Sequence, residues 1–520
     1  IIAVVIVCLL LASGLALSTN MSGSDDKGTD NVISNNDVDG SSNTQDDSGP
    51  GESNTQDDTG ITDDKETGGI TDDQGSEEDN QDQGSNGEEE HDDDGNPDEE
   101  EADNTSIEQG SEEVIVTQRE RTWTSLLYVA YDNSIGEWNM WGSDLEAIEE
   151  VGPAPGNTIV ALVDLVEEGD CRVVIIEKGN HTEFPVSIID PDWDDELNTG
   201  EGQVLQGFLV WGMEQYPADH YSVHLLDHGG GWTGICLDDS SGSDIIQGHE
   251  LAAALSGLED RIDILQCDAC FMANLEIAYE ISESVNYHVA GETIAAASQD
   301  GDDHYTGNWL YDQIFAGMLE NPDWTPEQLA SHMVECSNKV GPYMFVSIGM
   351  TSPESSDTFS AMNLSRMSEL VDAMSDLSNE LLGNVTGSGE IAAERQLILS
   401  VLGRPDSQPQ FNTESFSGQN ELIGYSFYWF FDLGDFLQRL ADHGSLLCDK
   451  ETAMKAYEQM KEMVVNEVHG EDMTLGEHPD AHGVSIYLPY RTTGDLERYG
   501  GTKFAQETEW DEFLANVQWA

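Results

Sequence analysis

Two stretches decide the fold: YSVHLLDHGGGW at residues 221–232 and IDILQCDACFM at residues 262–272. Each opens with an apolar run of strand length and then breaks into a short polar or glycine-bearing cluster. A helix and more than a dozen residues connect the runs, as neighbouring parallel strands require. Both clusters then lie at the carboxyl ends of parallel strands, the edge where open α/β sheets bind ligands. His228 and Cys270 become neighbours in space. A thiol is a weak nucleophile until it is a thiolate, and an imidazole within reach makes it one. With no side chain at Gly229, its backbone N–H can approach a reacting carbonyl. The N–H groups of Gly229 and Cys270 form a candidate oxyanion hole. Each feature alone reads more simply, the glycines as a turn and His228 as a solvated loop residue. In this order, 42 residues apart, they read as a catalytic pair.

The same alternation extends outward. WTSLLYVAY (123–131), NTIVALVDL (157–165) and RVVIIE (172–177) read as further strands. Leu251, Leu255 and Leu258 share one helical face, and Met272, Leu275 and Tyr279 another. The fold class is therefore α/β, with a mainly parallel sheet and helices on both faces. Toward the C-terminus, MFVSIGM (344–350) reads as a strand, Leu364–Leu382 and Gly434–Asp442 as helices, and Val484–Tyr487 as a late strand. This part, residues 343–520, is expected to extend the sheet and brace the cleft. Met367, Leu370 and Met374 form a stripe that belongs to a core.

Upstream of Val114 the composition changes. Residues 1–18 are apolar and read as a signal peptide or signal anchor, the one route to membrane anchoring. Residues 19–113 carry almost no apolar side chains and read as a disordered acidic linker. The chain of 520 residues has a net charge of −86. Residues 21–113 contribute 33 acidic and 2 basic residues, and residues 114–520 contribute 71 and 16. Such a surface repels phosphate polyanions, which excludes nucleic acid as a partner. It points to an extracellular or cell-surface setting, with adaptation to high salt one explanation of the excess.

The motifs and their order resemble the clostripain-like cysteine peptidases, relatives of the caspases, legumains and gingipains. The resemblance rests on WTSLLYVAYDNS, NTIVALVDL, ELNTGEGQVLQGFLVW, YPADHYSVHLLDHGGGW, RIDILQCDACFMANLEIAYEI and AHGVSIYLP, spread over residues 123–490. It implies a caspase-like peptidase core over 114–342 and cleavage of peptide or protein substrates after Arg or Lys. By motif position, His228 is the catalytic histidine, Cys270 the nucleophile, and Asp268 the acid that receives the basic side chain. A carboxylate suits that role through a charge-assisted pair, bidentate with Arg. The alternative for Asp268 is a helix cap before Phe271.

Cys267 stands where the family usually has an aromatic residue, which creates Cys267-x-x-Cys270 and admits a thiol oxidoreductase reading. In a strand, Cys267 reads instead as a small buried hydrophobe. A non-catalytic surface binding protein of the same fold is the third reading. Calcium stays open as a cofactor. Asp190, Asp192, Asp194 and Glu201 occupy positions one, three, five and twelve of a calcium loop, but Asp195 stands where position six requires glycine. No other metal site is indicated. A disulfide among Cys171, Cys236, Cys336 and Cys448 is not assigned. Arg261 is the only basic residue between His228 and Cys270, so a cleavage there would be the one trypsin-like site on that connection, but its place against a core strand speaks against processing there.

Overall fold

The computed structural model describes residues 123–292, 298–299, 305–307, 309–337, 358–387, 430–469, 481–489 and 495–517. The apolar start, the acidic segment and the run 344–350 lie outside these residues.

The central sheet uses β1 (Trp123–Ala130), β2 (Thr158–Asp164), β3 (Arg172–Glu177), β4 (Asn180–Pro185) and β5 (His220–Leu226). A short hairpin, β6 (Ile235–Asp238) with β7 (Asp244–Ile246), follows β5. The sheet continues with β8 (Ile262–Asp268) and β9 (Val285–Gly291). Then come the pair β10 (Ser298–Gln299) and β11 (Tyr305–Thr306), and β12 (Phe359–Asn363). β13 (Phe430–Asp432) pairs with β15 (Ser485–Tyr487), while β14 (Val464–Val468) closes the far edge of the main sheet.

The nine-stranded order is β14-β12-β9-β8-β5-β1-β2-β3-β4. The five central strands, β2 to β9 in that order, are parallel. Antiparallel pairs flank them, β3–β4 on one side and β12–β14 on the other. Thus the C-terminal third widens the sheet, but through β12 and β14; the expected late strand, β15, belongs to a separate pair.

Burial follows from this layering. Every residue of β1 is buried, as both faces of a central parallel strand must be. Its alternating side chains feed two cores. Leu126, Tyr128 and Ala130 join one, with Leu205, Phe208 and Leu209 of helix Gly202–Gln215. Leu127, Val129 and Tyr131 join the other, with helices Met140–Val151, Tyr311–Glu320 and Pro326–Glu335. At the edge, β4 (NHTEFP) is polar and largely exposed, which discourages pairing with other chains. The two-residue turn Lys178-Gly179 into it uses Gly179 at φ +73°.

The chain leaves β1 toward β2 on one side and later places β5 on the other. The crevice between the carboxyl ends of β1 and β5 is therefore a topological switch point, where such sheets bind ligands.

Candidate active site at the sheet edge

β5 and β8 pair in parallel with Leu226 opposite Asp268, and Asp227 N–H donates to Asp268 O at 3.2 Å. His228 and Cys270 each sit two residues beyond that register position. They are 3% and 5% exposed. Their loops touch: a Cβ built on Gly229 would stand 2.5 Å from Cys270 O and 2.9 Å from Ala269 Cβ. Only glycine permits this approach. Gly229 also bridges to Ile235, and both bonds of that bridge come from its neighbours: Gly230 N–H donates to Gly234 O, and Cys236 N–H to His228 O. Gly229 N–H is thereby left on the side away from β6.

The loop after β1 supplies residues that sequence reasoning missed. Ser134 Oγ lies 3.1 Å from His228 Nε2 across the switch-point crevice. Asn133 Nδ2 donates to Asp227 Oδ1 at 2.7 Å and to Leu237 O at 2.8 Å. Leu237 N–H donates to the other oxygen of Asp227. Burial pushes the Asp227 carboxyl up to about 7, against the opposing pull of His228 and these donors. The DNS triplet at 132–134 was legible as the end of a strand, but nothing in it pointed 94 residues ahead.

The turn carrying Cys270 is tightly specified. Phe271 adopts φ +62°, a strained conformation for a bulky side chain, and its ring packs 5.6 Å from that of Phe430. Beyond it, Met272 O faces His288 Nε2 at 2.9 Å, Ala273 N–H donates to Gly291 O, and Ser485 N–H donates to Ala273 O. These bonds pin the turn to β9 and β15. The next helix begins at Leu275, with Asn274 as its cap. Asp268 is the last residue of β8, which replaces the helix-cap alternative.

Asp268 is buried and accepts from Tyr311 Oη at 3.3 Å. Burial drives its carboxyl up to about 7. Asp144, on helix Met140–Val151, is also buried, and both burial and Asp268 push its carboxyl well up. Two acids thus share a buried region beside Tyr131 and Tyr311, whose hydroxyls feel both. A cationic side chain would relieve that repulsion. Cys267, by contrast, lies fully buried within β8, and burial followed by Asp268 drives its thiol far above the ordinary range. The six described cysteines are unbridged. Arg261 donates through Nη2 to Ser282 O and Val285 O, both at 2.6 Å, which engages its head group at the start of β8.

The carboxylates of Asp190, Asp192, Asp194 and Glu201 are on exposed residues. Among the described residues, the acids gathered closely enough for a metal ion are instead Asp132, Asp164 and Asp238.

Comparison with known proteins gives a consistent picture. The Clostripain family profile matches residues 127–519. Clostripain of Hathewaya histolytica is 28% identical over 228 residues, which is 37% of this chain and 41% of that protein. The matched region thus spans about two fifths of the curated relative. Among solved structures, an inactive zymogen C11 protease from Parabacteroides distasonis aligns with TM-score 0.50 and 18% identity, covering 74% of this chain and 97% of that one. A secreted C11 cysteine protease from Bacteroides thetaiotaomicron, bound to an irreversible peptide inhibitor, aligns with TM-score 0.50 and 17% identity, covering 75% and 99%. At these identities the structures speak for the fold.

Proposed function

The chain belongs to the clostripain family, and on that premise we propose that it is a cysteine endopeptidase that cleaves after Arg or Lys. The observation that carries the proposal is the contact of the His228–Gly229 loop with the Cys270 turn at the carboxyl edge of β5 and β8. His228 takes the thiol proton as Cys270 Sγ attacks the carbonyl carbon of the scissile bond. The carbonyl oxygen becomes an oxyanion, stabilised by the N–H groups of Gly229 and Cys270. Collapse expels the amine, protonated by His228, and leaves a thioester. Water, deprotonated by His228, then releases the acid product and restores the thiol. Asp268 receives the basic side chain; its burial makes the charge-assisted pair strong. Ser134, hydrogen-bonded to His228 Nε2 before substrate arrives, is a positioning residue.

The location we propose is extracellular or cell-surface. Its support is compositional: the apolar residues 1–18, the acidic segment 19–113, and the acidity of the remainder. Among the described residues, no helix is long and apolar enough to cross a membrane. The division we propose is a peptidase core over 114–342, with residues 343–520 as the C-terminal part of the same fold.

The test is a cleavage profile of purified wild type and Asp268→Asn on a peptide library. Asp268→Asn is expected to lose kcat/KM on Arg and Lys sites by roughly 10²-fold, about 3 kcal/mol of charge-assisted contact, with neutral sites little changed. Equal losses on all sites would remove Asp268 from the specificity pocket. No cleavage by the wild type across salt concentrations would favour a binding protein of the same fold.

A further inference from the structure

We propose that Asp144 is a second specificity residue, so that the basic head group of a substrate is held between two carboxylates, Asp268 at the end of β8 and Asp144 on helix Met140–Val151. The role of Asp144 rests on the reading of Asp268 as the acid that receives the basic side chain.

The position is one where an apolar residue is expected. Asp144 stands one turn after Met140 and Trp141 and one turn before Ile148, all buried on the same helix. Those three belong to the core that also holds Tyr131 and Tyr311. Asp144 itself is 4% exposed. A carboxyl at a core position is costly unless something pairs with it.

Nothing in the fold fills that need. Asp144 Oδ2 is buried without a hydrogen-bond partner among the described residues. Asp144 lies beyond the first turn of its helix, out of reach of the free N–H groups at the helix start. Among the described residues, no Lys, Arg or His forms an ion pair with Asp144 or with Asp268. A purely structural aspartate would have gained a donor from its neighbours. An acid kept bare in this way is provided for by a partner that arrives from outside.

The packing brings the two acids to one place. Helix Met140–Val151 lies against helix Tyr311–Glu320 and against β11. Tyr311, the first residue of the former, donates to Asp268 Oδ2 at 3.3 Å. Gly307, just past β11, bridges the remaining gap: a Cβ built on it would stand 3.4 Å from Asp268 Oδ2 and 3.5 Å from Met140 Cε. The hydroxyls between the acids register both. Burial, then Asp144, then Asp268 push the Tyr131 hydroxyl well up, and for Tyr311 the order of the two acids reverses. An ammonium has three N–H donors and a guanidinium five, so either can engage two carboxylates at once.

The test compares kcat/KM of the full chain on four peptides differing only at the residue before the scissile bond: Arg and its neutral isostere citrulline, Lys and norleucine. Asp144→Asn removes charge at constant volume. It is expected to lower the Arg-to-citrulline and Lys-to-norleucine ratios by roughly tenfold or more, with the neutral peptides within about threefold of wild type. Equal loss on all four peptides makes Asp144 structural and overturns the proposal. Unchanged ratios in Asp144→Asn beside lowered ratios in Asp268→Asn overturn it too, and leave the reading of Asp268 standing. A wild type that does not distinguish Arg from citrulline refutes both. A second measurement needs no variant. A peptide ketone ending in Lys is attached to Cys270, and a carbodiimide then joins its amine to the carboxylates it touches. Mass spectrometry is expected to find cross-links to Asp144 as well as Asp268. Cross-links to Asp268 alone overturn the proposal, and cross-links to neither refute the reading of Asp268 with it.

Discussion

Replacing Gly229 by alanine probes the contact on which the proposed chemistry depends. The new Cβ would meet Cys270 O at 2.5 Å, Ala269 Cβ at 2.9 Å and Met272 Sδ at 3.0 Å. Ordinary contact begins near 3.4 Å, so the His228 and Cys270 loops must part by about 0.9 Å. The nearest atom is backbone, and the Cys270 turn is pinned to β9 and β15, so no side chain can swing aside to absorb the displacement. Gly229 does not have a positive φ, so alanine brings no backbone penalty and the effect is steric. Overpacking of this kind costs about 1–3 kcal/mol of stability. A displacement of about 1 Å between reacting groups costs roughly 10²-fold in rate. The assay is kcat/KM on a Lys-containing fluorogenic peptide, measured well below the Tm of the variant. Gly383→Ala is the control: nothing lies within 4 Å of its new Cβ, in the helix Met367–Gly387. The expected result is a loss near 10²-fold for Gly229→Ala and none for Gly383→Ala. Wild-type kcat/KM in a folded Gly229→Ala would refute the reasoning, because the contact would then be packing without bearing on the chemistry.

Two further outcomes follow from the same geometry. Cys267→Ala should keep at least a third of wild-type kcat/KM, because its thiol is buried in β8; abolished turnover would revive the oxidoreductase reading. The Asp268 carboxyl, raised to about 7 by burial, is neutral below that pH and anionic above it. Since a cationic substrate binds the anion, kcat/KM for Lys and Arg peptides should rise with pH through about 7, beyond any rise for a neutral peptide. Asp268→Asn should erase the difference between the two profiles, and a difference that persists would place its origin elsewhere.

The central strands were legible because parallel strands buried on both faces are nearly continuous apolar runs: β1, β2, β5 and β8 stand out on that account alone. β9, VNYHVAG, and β14, VVNEV, mix polar residues into the pattern and were not read as strands. The late run Val484–Tyr487 was read as a strand, but its apolar character could not say which sheet it joins. His228, Cys270 and Asp268 carry a local signature. Ser134 and Asn133 do not, because their meaning comes from the return of the chain to the crevice beside β1 some 94 residues later. Composition actively hid the Asp132, Asp164 and Asp238 cluster: in a chain with 104 acids, three separated aspartates carry no signal until the sheet brings them together. The regularly spaced carboxylates Asp190, Asp192, Asp194 and Glu201 are exposed instead.

The central claim is that Cys270 is the nucleophile of a peptidase. The most direct measurement treats the protein with a thiol-reactive peptide ketone ending in Lys, locates the adduct by mass spectrometry, and assays cleavage in parallel. The account predicts one adduct, on Cys270, formed at a rate that tracks loss of activity, and neither adduct nor cleavage in Cys270→Ala. An adduct on another cysteine that abolishes activity, or cleavage retained by Cys270→Ala, would contradict it.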